Sequence, residues 1–280
     1  MTSTSVSNVR NEGPIWTHLY LIRAFADRNL KTRFKGSALG WLWSLLVPLA
    51  TLAIYTAVFS LIFRATPPDM GHGRPGIFVL FLFSGLTVWT FFSGAVTGAM
   101  GELLAAGPIL QKVYFPAYAP VLGAVWAVAT QSAIELGILA VVLLALGNIG
   151  LSWIAIPLWL LLLVVFTSAI ALMLAILNVY FRDLSHLITV VLQLLFYLTP
   201  IIYPMSMVEG ISPLFGRFAI ADLLYLNPLT SFVQLFRSLI YELNFGTPMQ
   251  WLAAIGWTVV MLIGAVLVLR KRGADLGENV

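Results

Sequence analysis

Hydrophobic and polar positions along this chain fall into long apolar blocks separated by short polar ones. A bilayer core about 30 Å thick is crossed by about 20 consecutive apolar residues in helical form. Six blocks reach that length: residues 41–63, 77–100, 119–146, 151–179, 187–205 and 249–269. The third and fourth are divided only by Gly147-Asn148-Ile149-Gly150, a turn signal too short to hold a domain. Ahead of the first block, residues 14–35 carry a helical period instead of a continuous apolar run. Ile15, Leu19, Ile22 and Ala26 share one face, and Arg23, Asp27 and Lys31 form an i, i+4 charge ladder on another. Such a helix lies in the interface plane or packs on a partner.

Two connections are longer than a turn requires: residues 101–118 between spans two and three, and 206–248 between spans five and six. The second holds residues 228–243, mostly apolar but interrupted by Arg237 and too short to cross. Re-entrant or interfacial helices fit that stretch better than a seventh span. Pro200 and Pro204 are expected to break span five near its outer end and release backbone groups that need partners. The fold class expected is all-α and integral to the membrane. It has six transmembrane helices, an N-terminal amphipathic interfacial helix, and re-entrant outer helices between spans five and six.

Charge supports that reading and gives it a direction. Of 280 residues, 60% are hydrophobic and 9% charged, whereas a soluble domain is about 25% charged. Arg28, Lys31, Arg33 and Lys35 crowd together, and residues 36–63 then carry no charge at all. With the N-terminus inside, eleven of the 15 cations fall on inner segments and four (Arg64, Arg74, Arg217 and Arg237) on outer ones. That bias matches the positive-inside rule and expects both termini in the cytoplasm. The first apolar run starts too late and runs too long for a cleavable signal, so it is expected to be retained. The net charge of +4 comes from cations beside the spans and does not suggest a nucleic-acid partner.

Candidate chemistry is sparse. There is no cysteine, so no disulfide or thiolate metal site. No G-x-x-x-x-G-K-[ST] loop and no H-E-x-x-H pair occurs. His18, His72 and His186 are far apart, and the acids are scattered singly. No catalytic, metal-binding or cofactor-binding set emerges. Glu135 is the one charge placed deep inside a span. An acid there faces a cavity, or a partner helix through a structural hydrogen bond, with Gln131 one turn away. Trp89, Phe92 and Tyr197 are candidates for lining a conduit, since aromatic faces suit the C–H faces of sugar rings; packing or lipid contact is the other reading. Residues 101–118 read as a helix from Glu102, then Gly107-Pro108, a second helical piece, and Phe115-Pro116 leading into span three. This is either a compact protrusion suited to a groove on a partner or a plain interhelical loop.

Several motifs together carry a family resemblance. R-x-L-K-x-R-F-K-x-S-x-L-G-x-x-W spans residues 28–43, and K-V-Y-F-P spans 112–116. N-V-Y-F-R-D-L follows at 178–184, Q-L-L-F-Y-L-T-P-I-I-Y-P at 193–204, and L-N-P-L-T at 226–230. In this order they resemble the ABC-2 type permeases that export polysaccharides: O-antigen, capsule, teichoic acid or mycobacterial galactan.

That resemblance implies a bacterial cytoplasmic-membrane permease, not itself an enzyme, working as a homodimer with two copies of an ABC ATPase subunit. ATP and Mg would be bound by the ATPase, and lipid-linked polysaccharide would be the substrate. It further implies a coupling helix at residues 101–118, with Glu102, Leu103, Lys112, Tyr114, Phe115 and Pro116 as candidate ATPase contacts. Pro200, Pro204, Asn227, Pro228 and Arg237 are candidates for an exit gate. The expected organisation is a cytoplasmic N-terminus with its interfacial helix (1–40), a six-span domain (41–272) and a short cytoplasmic tail (273–280), with no appended soluble domain. A permease for a drug or small lipid would share this architecture. A secondary transporter would be expected to show several intramembrane charges and repeated broken helices, neither of which is legible here.

Overall fold

The computed structural model describes residues 14–33, 39–62, 67–110, 115–209 and 220–272, and all regular structure among them is helical apart from one isolated β-bridge. The helices, in order, are α1 (Pro14–Arg33), α2 (Trp43–Thr56), α3 (Phe78–Ala105), α4 (Gly107–Leu110), α5 (Tyr118–Ala145), α6 (Ile156–Tyr180), α7 (Leu184–Leu198), α8 (Ser206–Glu209), α9 (Ile220–Leu226), α10 (Pro228–Ile240) and α11 (Pro248–Arg272). Four segments are long and apolar enough to cross a membrane: Phe78–Ala105, Tyr118–Ala145, Leu151–Tyr180 and Pro248–Arg272. The other two expected spans form shorter helices. α2 runs on as a π-helix over Ala57–Ile62, and α7 stops after 15 residues.

The central element is α3. Its mean burial is the highest of the four long helices, and α5, α6, α7, α10 and α2 all pack against it. In lipid no hydrophobic drive holds helices together, so close packing must do so, and small residues allow it. Ala95 and Ala99 of α3, Ala124 and Ala127 of α5, and Ala171 and Ala175 of α6 are all fully buried. α11 lies against α6, and α1 crosses the first turns of α5. At 28 residues, α3 is about 42 Å long and overruns the expected block 77–100. Glu102 therefore sits in its last turn and does not begin a separate helix. As far as residue 110, the connection expected on the inner side is a helix extension followed by the single turn α4.

α10 lodges in the bundle between α3, α6 and α11, buried on nearly every face. A helix buried this way leaves its terminal N–H and C=O groups without water, so side chains must take them. At the N-terminus Asn227 accepts from Leu229 N at 3.0 Å, with Pro228 at the first helical position. At the C-terminus Ser152 Oγ donates to Leu239 O at 2.7 Å, and Asn148 Nδ2 donates to Ile240 O and Tyr241 O at 3.2 and 3.0 Å. The Gly147–Gly150 turn, legible in sequence only as a connection, thus serves as the cap of a distant helix. Gly147 at φ +68 lets it turn that tightly.

Candidate functional site

The residues singled out from sequence gather in three places. The first is the α1 end of the bundle. Arg28 Nη2 and Asn29 Nδ2 of α1 donate to the two carboxylate oxygens of Glu102 at 2.6 and 2.9 Å. His18 Nδ1 and Tyr118 Oη lie 2.9 Å apart, and Phe25 packs on Phe115 with ring centres at 5.3 Å. Gly123 makes the crossing possible: a β-carbon there would stand 2.6 Å from Phe25 Cβ and 3.0 Å from Ala26 N. The face of α1 turned to α5 runs through His18, Ile22, Phe25 and Ala26, and Leu19 at its margin is 52% exposed. Of the expected stripe, Ile22 and Ala26 meet α5 at Gly123 and Leu19 does not, because a backbone-to-backbone approach, and not apolar content, sets the contact.

The candidate coupling residues separate accordingly. Leu103 is fully buried and Phe115 nearly so, and both hold the segment from within. Pro116 is half-buried, and its carbonyl accepts from Ala119 N at 2.9 Å to start α5. Lys112 and Tyr114 lie outside the described residues. The large apolar side chains that face outward among the described residues of this segment are Leu104 and Ile109, 37% and 41% exposed. Sequence reading missed both, since choosing between Leu103 and Leu104 requires the helix phase.

The second place is the break after α7. Thr199 is extended, and Pro200 prevents the helix from continuing. The freed carbonyls are taken by α10 and the residue before it. Asn227 Nδ2 donates to Leu198 O at 3.2 Å and to Thr199 Oγ1 at 2.8 Å. Arg237 donates to Pro200 O at 2.5 Å and Ile201 O at 2.6 Å, and also to Phe81 O at 3.1 Å and Ser84 Oγ at 3.3 Å on α3. Its guanidinium lies 3.6 Å from the centre of the Phe81 ring. Pro200, Asn227 and Arg237, chosen separately from the sequence, thus meet in one hydrogen-bonded cluster, with Pro228 opening α10 beside it. Pro204 is buried just beyond it, and its carbonyl accepts from Met207 N at 3.2 Å. Arg237 is 1% exposed, so it is no water-facing outer cation, and Glu135 is not the only charge inside the bundle. Arg64 and Arg217 lie outside the described residues. Further along the chain, α8 and the Met205 before it pack on α9 through Val208, Ala221 and Leu224. Tyr225 donates to Glu209 at 2.5 Å; partial burial first, and the carboxylate second, push its phenol up to about 12.

The third place surrounds Glu135. It is 3% exposed, accepting from Thr90 Oγ1 at 3.1 Å and from Gln131 Nε2 at 3.4 Å. Because α2 packs chiefly along α3, it stands away from α5 and leaves a cleft of about 620 Å³ beside this carboxylate. The aromatic candidates do not share it. Phe92 is 4% exposed and stacked on Phe166; Trp89 packs on Phe92 and Phe196; Tyr197 is 67% exposed on α7. Near the α1 end, in the N-V-Y-F-R-D-L motif, Asn178 is buried, while Asp183 starts α7 without a side-chain cap bond. Among the described residues, no three His, Asp or Glu side chains converge as metal ligands.

Taken together, the sites are packing clusters, caps and a cleft, arranged around helices built to span a membrane. Comparison with known proteins places the chain. Residues 20–241 match the family described as ABC-2 type transporter. The chain is 31% identical to the O-antigen export system permease protein RfbA of Myxococcus xanthus over 264 residues, 93% of this chain and 95% of that protein. It is 31% identical to an RfbA permease of Klebsiella pneumoniae over 190 residues, 67% of this chain and 70% of that one. A shorter likeness, 33% over 84 residues and 30% of each chain, links it to the polysialic acid transport protein KpsM of Escherichia coli. With most of its length matched by the family and nearly all of it by a permease, the chain belongs to the ABC-2 type transporter family.

Proposed function

We propose that this chain is the transmembrane subunit of an ATP-driven exporter that moves lipid-linked polysaccharide outward across the bacterial cytoplasmic membrane. One observation carries the reading: its likeness to an O-antigen export permease runs almost end to end. The likeness therefore takes in α1, the inner connection and α10 as well as the apolar helices.

In this reading the α1 end is cytoplasmic and the α7 break faces outward, in keeping with the cation bias. Six crossings follow if α2 with its π-helix, residues 43–62, serves as the first, at about 30 Å. The fifth is α7, about 22 Å long, completed by the chain through residues 199–205. The buried α10, capped at both ends, is the re-entrant element. Residues 1–40, 41–272 and 273–280 are then the interfacial N-terminus, the transport domain and the tail. Two copies form the conduit. Two ABC ATPase subunits, which bind ATP and Mg, dock at the α1 end. Closing of the ATPases moves the inner connection, and α1 moves with it because Arg28 and Asn29 hold Glu102. Residues 206–248, anchored through Asn227 and Arg237, act as the exit gate.

The test is reconstitution. The permease is co-expressed with the ATPase encoded beside it, and ATP turnover and outward movement of lipid-linked glycan are followed in vesicles. A stable complex whose glycan movement requires ATP is the expected result. A permease that purifies alone and moves solute without any ATPase would overturn the reading.

A further inference from the structure

We infer that the cleft between α2, α3 and α5 is a sugar-binding site, selective for uncharged hydroxyl donors over phosphate. The inference rests on the polysaccharide-export reading and names the part of the substrate that this cleft takes.

The argument begins with where the hydroxyl protons go. Thr90, Ser93 and Thr97 fall at three- and four-residue spacing along α3, on the face that lines the cleft, and Thr51 of α2 stands among the same lining residues. Each of these hydroxyls bonds back to its own helix. Thr51 donates to Val47 O at 2.9 Å, Ser93 to Trp89 O at 2.8 Å and Thr97 to Ser93 O at 2.8 Å, while Thr90 reaches Thr87 O at 3.2 Å and Glu135 at 3.1 Å. A hydroxyl has one proton and two lone pairs. With the proton engaged, what each offers to the cleft is an acceptor. Glu135 adds a carboxylate, an acceptor at both oxygens. Gln131 Oε1 finds no donor among the described residues.

An acceptor-rich cleft selects a donor-rich guest. Among the described residues no Lys or Arg lines it, so a phosphate or diphosphate, which only accepts, would be both unpaired and repelled by Glu135. Sugar hydroxyls donate, carry no charge, and present C–H faces to an aromatic ring. Trp43, 48% exposed at the start of α2, supplies one at the cleft's α1 end. The stripe from Phe83 to Thr97 is about 21 Å long, and 620 Å³ falls inside the range of about 300–1,000 Å³ usual for small-ligand sites. The second cleft, against α6 and lined by Leu160 and Val164, has no ionisable side chain and lacks this chemistry.

The test uses the permease–ATPase complex in nanodiscs and two probes, farnesyl diphosphoryl-N-acetylglucosamine and farnesyl diphosphate, with dodecylammonium as a third. The wild-type complex is expected to bind the sugar-bearing probe more tightly than farnesyl diphosphate. Glu135→Gln, which keeps shape and removes charge assistance, is expected to shrink that preference about fivefold. Thr97→Val, at an exposed edge of α3 where folding is not at stake, shrinks it in the same direction, and Val260→Ala on the outer face of α11 leaves it unchanged. Equal binding of the two farnesyl probes by wild type would overturn the inference. So would a sugar preference that survives both cleft variants, or tighter binding of dodecylammonium, which would assign the cleft to an amine. ATP-driven glycan movement by the wild type is measured in the same preparation. If it is present while the probe results fail, the cleft assignment alone falls; if it is absent, the exporter reading falls and takes this inference with it.

Discussion

The guanidinium of Arg237 lies directly against the backbone of Gly85: a β-carbon on Gly85 would stand 2.7 Å from Arg237 Nη2 and 3.3 Å from Ile201 Cα. The glycine is there to make room. That nitrogen donates to Phe81 O and Ile201 O and has no slack to retreat. Gly85→Ala is therefore expected to displace the fork and leave buried carbonyls unpaired, at about 1–3 kcal/mol for each. Arg237→Lys should have a similar effect, because an ammonium cannot span the carbonyls that the planar fork joins. Thermal unfolding of the purified permease measures both, and an unchanged midpoint in Arg237→Lys would show that the carbonyls find other partners.

Asn227 serves two helices at once, capping α10 and closing the end of α7. Asn227→Ala should cost about 1 kcal/mol for the cap, and more for the carbonyl it abandons. Asn227→Asp retains the capping oxygen but loses the donor to Leu198 O and Thr199. Amide exchange resolves the two: Ala should speed exchange at both the α10 N-terminus and the α7 break, and Asp at the α7 break alone. Equal exchange in both variants would mean that the two helices are not joined through this side chain.

The Arg28–Glu102 pair is partly exposed, so it contributes little to stability, about 0–1 kcal/mol. In the exporter reading proposed above, its consequence is mechanical. Arg28→Met is expected to leave folding intact and lower the glycan moved per ATP hydrolysed, because α1 no longer follows the inner connection. The charge exchange Arg28→Glu with Glu102→Arg should restore part of that ratio. Failure of the exchange to restore anything, with the single variants impaired, would attribute the defect to Asn29 or to packing.

Gly123 allows α1 to sit on α5, and Ala26 is buried at the crossing, 1% exposed. Since the chain has no cysteine, Ala26→Cys gives a single reporter. Maleimide labelling should be slow in that variant and fast once Gly123→Val pushes the helices apart. Rapid labelling with Gly123 intact would mean that α1 leaves its seat readily.

Much of this molecule could be read from the chain alone. Apolar block length marked the four long helices and the weaker fifth block, because a bilayer requires about 20 apolar residues whatever the neighbours. Pro200 announced the end of α7, since a proline acts on its own backbone. The family was legible because its motifs lie in order along most of the chain. The inner contacts were less so. Leu19 and Ala26 look equally suited to a buried face, and only the approach of α1 to Gly123 chose Ala26.

What the tertiary structure alone decided involves pairs far apart in sequence. Arg237 read as an interruption in an apolar stretch; folded, it is the donor for carbonyls 36 and 37 residues away. Asn148 read as a turn residue; folded, it caps a helix more than 90 residues later. Glu135 read as an isolated acid, and its cleft exists because α2 stands off α5. Local propensity and hydrophobicity act through neighbouring residues, so the sequence by itself determined the helices and their place in a membrane. Hydrogen-bond satisfaction and close packing in a medium without water act between distant residues, and which polar groups meet is settled only when the helices do.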